Sequence, residues 1–198
     1  HSLSMAKIVG PKGQVIAFEP MAWAQEKLRT NIGLNLFTNI VVEKIALSDK
    51  TTIGPASFRT SWDKFDSASS GIVPEEAITF DTLDNYVENH NLLSLDFIKL
   101  DVDGFEFKVL KGAIKTLKQF KPTLLMELGN YTLEQQGDTL KELTLLLDSL
   151  GYKFFRESDF GMLTNFDAIL REFPDPRTWT INVVVAHSSK MSKIQVLA

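Results

Sequence analysis

Apolar and polar positions divide the chain into short apolar runs separated by amphipathic stretches. "QVIAFE" (14–19), "IVVEKIAL" (40–47), "DFIKLDV" (96–102) and "PTLLMEL" (122–128) are nearly continuous in aliphatic and β-branched residues rather than alternating. That is the pattern of strands covered on both faces in a parallel sheet. Between the first two, "AWAQEKLRTNIGLN" (22–35) follows Pro20, which suits helix entry. In "EFKVLKGAIKTLKQF" (106–120), Val109, Leu110, Ala113, Ile114 and Leu117 make an apolar stripe. Lys108, Lys111, Lys115 and Lys118 make a wet one, so the spacing predicts one helix over 106–120. Another helix is predicted from Thr132, with Gln135 in capping-box position, to about Leu150. Gly151 then supplies the left-handed residue that closes it.

Strands separated by helices of this length imply βαβ units and a parallel sheet. After Gly151 the pattern changes. "YKFFR" (152–156) and "TINVVVAH" (180–187) are strands with no convincing helix between them, and "REFPDPRTW" (171–179) reads as a loop. They are expected to pair antiparallel. The fold class is therefore α/β, a mostly parallel twisted sheet flanked by helices, with an antiparallel pair at the carboxyl end. On pattern alone, plain doubly wound folds also fit.

At 198 residues the chain suits one domain over 1–198. A net charge of −4 gives no attraction to phosphate backbones or anionic lipid, so neither nucleic acid nor a membrane is the expected partner. With no cysteine, disulfides and thiolate metal sites are excluded, which is compatible with a reducing cytoplasm, the expected location. Apolar stretches such as "LTLLL" (143–147) fall far short of the ~20 residues that span a bilayer.

Ligands of open α/β sheets bind outside the carboxyl ends of the strands. Each predicted parallel strand ends in an acid or has one just after it: Glu19, Asp49, Asp101 with Asp103, and Glu127. Any one of these suits a solvated strand exit. Glu19 has a sharper alternative. A carboxylate at the tip of the second strand of a nucleotide-binding sheet accepts hydrogen bonds from both ribose hydroxyls, roughly 20 residues after a glycine-rich turn. Glu19 lies eighteen positions after His1, so that turn and its strand would precede His1. "SLSMAKIVG" then reads as the rest of the following helix, and "GPKG" as the turn into the strand. The domain is accordingly expected to be incomplete at its N-terminus.

The second constellation is "LDFIKLDVDGFEFKVLKGA" (95–113). Asp101 arrives at the strand end, and Lys99, two positions earlier, faces the same way. Such an acid binds a cation, accepts a substrate proton, or forms a structural ion pair. Glu106 begins the next helix, where the backbone dipole favours an acid. The segment 55–78, with Trp62, Phe65 and "SASSG" (67–71), suits a lid or substrate loop. His1, His90 and His187 lack metal-ligand spacing, and no serine lies in a nucleophile-elbow motif.

"GPKGQVIAFEP", "NI" (39–40), "ALSD" (46–49), "FDTLDNY" (80–86), "DFIKLDVDGFEFKVLKGA" and "PTLLMEL" resemble, in order and spacing, the FkbM-type S-adenosylmethionine-dependent methyltransferases. The resemblance covers about 4–128, and "KLDVDGFEFKVLKGA" is its most specific part. It implies a Rossmann-like class I methyltransferase fold and methyl transfer to a hydroxyl of a small molecule or sugar. It further implies that Glu19 holds the donor ribose, that Ser48 and Asp49 lie by the adenine, and that Asp101 lies near the sulfonium and the acceptor hydroxyl. Asp103 departs from the family's usual Glu, which retracts that carboxylate by one methylene, and the glycine-rich donor loop is missing. Some O-methyltransferases of this fold use Mg²⁺, and Asp101 with Glu127 would supply part of such a site; no metal ligand is assigned. Two rivals remain. One is a nicotinamide-dependent Rossmann enzyme, which explains Glu19 but not the terminal antiparallel pair. The other is an inactive methyltransferase-like fragment or interaction module.

Overall fold

The structure, a computed structural model, describes residues 1–55 and 77–192. Of the 55–78 segment, 56–76, with Trp62, Phe65 and 67–71, lies outside the described residues. The chain forms two compact units, His1–Asp81 and Thr82–Ala198.

In the first unit, helix α1 (Ser2–Val9) ends at Gly10, whose φ of 68° lets the chain reverse into strand β1 (Val15–Phe18). The Asn39 amide fastens this corner, donating to the carbonyls of Ala6, Gly10 and Gly13 at 3.1, 2.9 and 3.2 Å. Helix α2 (Ala22–Leu34) leads to β2 (Ile40–Glu43), which pairs parallel with β1 from Val15↔Ile40 to Phe18↔Glu43. The strand predicted over 40–47 does not run through. Lys44 is exposed and interrupts the apolar run, and the chain resumes as β3 (Ala46–Leu47) in a different sheet. There β3 lies parallel to β5 (Ala77–Asp81), and β4 (Thr52–Pro55) lies antiparallel on the other side of β5.

The second unit opens with α3 (Leu83–Asn89), capped by the Thr82 hydroxyl accepting from Asn85 N–H at 3.0 Å. Strand β6 (Phe97–Leu100) follows, then α4 (Glu106–Lys111) and α5 (Ile114–Phe120). The single helix predicted over 106–120 is thus two. Asp84, from outside the segment, causes the break. Its carboxylate accepts from Lys115 N–H, Thr116 N–H and the Thr116 hydroxyl at 3.0, 2.8 and 2.7 Å, so α5 starts afresh there. After β7 (Thr123–Gly129) the helix predicted over 132–150 is likewise two, α6 (Asn130–Gln135) and α7 (Leu140–Ser149). They are separated at Gly137, whose φ is 76°. Thr132 does not cap; its hydroxyl donates to Gly129 O. The cap is Thr139, whose hydroxyl accepts from Glu142 N–H at 3.2 Å and donates to Glu142 Oε2 at 2.6 Å. Gly151 closes α7 with φ 83°, as its position predicts.

Strand β8 (Tyr152–Arg156) pairs with β9 (Met162–Leu163), and helix α8 (Phe166–Leu170) lies before β10 (Thr180–His187), so one short helix does occur between β8 and β10. The sheet order is β6-β7-β10-β8-β9. β6 and β7 are parallel; β10 lies antiparallel between β7 and β8. The predicted antiparallel pair is present. Parallel pairing among the described residues is confined to β1–β2, β3–β5 and β6–β7, so the sheets are mixed rather than mostly parallel. β7 has cover on both faces. Leu124, Met126 and Leu128 are fully buried on one, and Leu125 packs on the other against Phe155, Val184 and Ala186. Leu117, Leu133, Leu140, Leu143 and Leu147 are fully buried as well. Burying each such side chain contributes about 2–3 kcal/mol, which holds the carboxyl ends of β6 and β7 in place.

Candidate active site at the strand carboxyl ends

In the first unit, Glu19 follows β1 directly and continues its pairing, donating its N–H to Glu43 O at 3.0 Å. Its Oε1 accepts from Met21 N–H at 2.9 Å, and its carbonyl accepts from the buried Gln25 amide at 2.6 Å. Burial pushes this carboxyl above its ordinary range, and the Met21 N–H opposes that in part. The carboxylate is half-buried and fixed by one oxygen, which leaves Oε2 to accept from a hydroxyl. Ser48, after β3, is 6% exposed and donates its N–H to Asp81 O at 2.8 Å. Its hydroxyl reaches Asp49 Oδ1 at 3.2 Å. Ser48 thus orients Asp49, and the Asp49 side chain is the one that meets solvent.

In the second unit, Leu100 pairs with Met126, so Asp101 and Glu127 are the next residues along two parallel strands. Asp101 accepts from Lys99 Nζ at 2.9 Å, as the spacing predicts; its side chain is 36% exposed and that of Lys99 only 11%. Glu127 accepts from the Thr180 hydroxyl at 2.8 Å. Burial pushes the Glu127 carboxyl up and the Thr180 bond draws it down. The charge of Asp101, a hydrogen bond with Asp101 and the charge of Asp103 push it up again.

The turn after Asp101 is fixed by its backbone. Asp103 and Gly104 have φ of 51° and 102°, and a Cβ at Gly104 would collide with the carbonyl of Thr132. Burial, then the charge of Asp101, raises the Asp103 carboxyl. Glu106, 2% exposed, folds back so that Oε1 accepts from Val102 N–H at 3.0 Å and Gly104 N–H at 3.3 Å, while Oε2 is buried without a partner. Burial raises its carboxyl most, the backbone N–H groups lower it, and the charge of Glu127 raises it. The sequence assigned Glu106 to the helix dipole alone; its fold-back contacts were missed. A Glu two residues past an Asp-Gly turn is the local signal for them. Thr180 had no such signal.

The family model for the methyltransferase FkbM domain matches residues 2–154. The chain belongs to the FkbM methyltransferase family. The fold is also similar to the crystal structure of methyltransferase FkbM from Methylobacillus flagellatus KT, with a TM-score of 0.52 at 20% identity. That likeness covers 92% of this chain and 40% of the other, so the chain spans well under half of that FkbM protein. No curated protein matches.

Within this FkbM domain, the structure brings Asp101, Asp103, Glu106 and Glu127 to one strand end, with Lys99 and Thr180 beside them. Among the described residues no group of three or more His, Cys, Asp or Glu is arranged to hold a metal ion. No described helix is long and apolar enough to cross a membrane. Phe160 packs on the Phe155–Val184–Ala186 cluster, and Trp179 is 59% exposed.

Proposed function

We propose that the chain is a Rossmann-like class I methyltransferase domain that transfers a methyl group from S-adenosylmethionine to a hydroxyl of a small molecule or sugar. The observation that carries this reading is Asp101, held at the tip of β6 by Lys99 and flanked by Glu127 and Asp103. S-adenosylmethionine, when bound, supplies a methyl group on a sulfonium. Glu19 fits the donor chemically, because an ionised carboxylate only accepts hydrogen bonds and ribose hydroxyls donate them. Asp49, oriented by Ser48, is the adenine-side acceptor. The carboxylates beside Asp101 favour a positive charge.

Methyl transfer is an in-line displacement in which placement of the two reactants is much of the task. Asp101 would serve as general base, taking the proton from the acceptor oxygen as that oxygen bonds the methyl carbon and the carbon–sulfur bond of the donor breaks to leave a neutral thioether. Lys99 holds the Asp101 side chain in one orientation. Residues 1–198 belong to one methyltransferase-like domain in this reading, and a cysteine-free chain suits the cytoplasm. The test is transfer of labelled methyl from S-adenosylmethionine to a panel of sugars and hydroxylated small molecules. Asp101→Asn, which cannot take the proton, is expected to lower the rate by about 10²- to 10³-fold. A variant that keeps the native rate removes Asp101 from the mechanism.

A further inference from the structure

We propose that Glu106 is a positioning residue that holds the 102–104 backbone as a neutral carboxylic acid and so sets where Asp101 and Asp103 present their carboxylates. The donor-binding part of this inference rests on the reading above; the structural part stands on the loop itself. Glu106 is the only acid of this cluster whose side chain is closed to solvent, at 2% exposure. One carboxyl oxygen accepts two backbone N–H groups, from Val102 and Gly104, which lie between and just beyond the two exposed acids. On the other side the Thr132 carbonyl lies so near Gly104 that a Cβ there would collide with it, so the turn runs closely between Glu106 and α6.

The protonation state follows from the surroundings. The charged group facing Glu106 is Glu127 from β7, which itself faces Asp101 and Asp103. The nearby lysines point elsewhere, Lys99 to Asp101, and Lys108 and Lys111 to Asp138. An ionised Glu106 would leave Oε2 as a buried anion near the Glu127 carboxyl with no donor on it. A proton on Oε2 removes that charge and leaves Oε1 as acceptor for both N–H groups. Burial pushes the carboxyl in the same direction.

Glu106→Gln and Glu106→Ala separate these roles. Gln keeps an oxygen for Val102 and Gly104 and is neutral, so it should reproduce the native loop. Ala leaves both N–H groups without an acceptor. Amide hydrogen exchange at Val102 and Gly104 should be unchanged within about twofold in Glu106→Gln and at least about tenfold faster in Glu106→Ala. Infrared spectroscopy at neutral pH should show a protonated-carboxyl C=O band that disappears in Glu106→Gln. If Glu106→Gln exchanges as fast as an unprotected loop, or its spectrum loses an ionised-carboxylate band instead, the inference is overturned. Glu106→Ala failing to fold would not shield it, because the native protein and Glu106→Gln carry both readouts. Calorimetry with S-adenosylmethionine then separates the two levels. Protected amides with no donor binding in native protein would sink the donor reading and leave the latch standing. Donor affinity that Glu106→Ala reduces at least about tenfold and Glu106→Gln restores would support both.

Discussion

Two groups of carboxylates in the second unit are treated in opposite ways. At the strand ends, Asp103, Glu106 and Glu127 are pushed above their ordinary range, first of all by burial. Around 156–177, Asp159 and Asp175 are drawn below it, first of all by hydrogen bonds from Arg156 and Arg177. Those clasps are bidentate: Arg156 reaches Asp159 at 2.9 and 3.1 Å, and Arg177 reaches Asp175 at 3.0 and 2.9 Å. Asp159 and Asp175 are each clasped by an arginine, and each closes a turn by accepting the N–H two residues on, from Gly161 and Arg177. At the strand ends, among the described residues, four acids gather and the one ion pair is Lys99 with Asp101. Acids gathered without cations of their own are costly to the fold, and a positively charged ligand relieves that cost. This is the physical case for reading the strand ends as a site and the arginine clasps as scaffold.

The largest effect that sharpens the contrast comes from two glycines. Gly104→Ala places a Cβ against the Thr132 carbonyl at a backbone φ of 102°, and neither the carbonyl nor the φ gives way easily. It should destabilise the protein by roughly 3 kcal/mol in urea unfolding. Gly161→Ala meets the far ends of two side chains, the Arg156 guanidinium and Asp159 Oδ1, both of which can swing aside. Its cost should stay under about 1 kcal/mol. Equal costs at the two positions would erase the distinction between a rigid site loop and a compliant clasp.

A smaller effect is the dependence of stability on pH. The strand-end carboxyls have folded-state values raised above the ordinary 3.8 of Asp and 4.5 of Glu. The folded state then binds more protons than the unfolded one. Their contribution is fully present below those ordinary values and is lost as pH rises through the raised ones. Unfolding free energy should therefore fall as pH is raised from about 4, and Glu106→Gln should make that fall shallower. A slope that Glu106→Gln leaves unchanged would mean that Glu106 does not contribute to it.

The smallest effect belongs to the clasp. Asp159 is lowered, so its contribution is present above 3.8 and lost only as pH drops through the depressed value. Being fully exposed, the pair is screened by solvent. Asp159→Asn should leave melting temperature at neutral pH and methyl transfer unchanged within error. A marked loss of transfer would move part of the site to the 156–161 turn.

Much of this was legible from local spacing. β1 and β6 end where the apolar runs meet Glu19 and Asp101, and Lys99 reaches Asp101 because alternate residues of a strand share a face. Gly151 closes α7, and β8 and β10 pair antiparallel, because glycine position and a change of periodicity are local signals. What spacing missed depends on partners far along the chain. Asp84 splits 106–120 into two helices by capping α5 from 31 and 32 residues away. Thr180 meets Glu127 only because β10 inserts beside β7 across 53 residues. Thr132 and Thr139 have similar local credentials as caps, and only the turn at Gly137 decides that α7 begins after Thr139. Glu106 was visible as a first-turn acid, but its fold-back onto Val102 and Gly104 depends on two successive positive φ angles that no periodicity encodes.

The central proposal is that Glu19 holds the ribose of S-adenosylmethionine. Calorimetric titration of S-adenosylmethionine into this chain and its Glu19→Ala variant tests it most directly. Saturable binding in the native chain, weakened at least about tenfold in Glu19→Ala, is the predicted result. Equal affinity in the two proteins, or no binding in either, would contradict it.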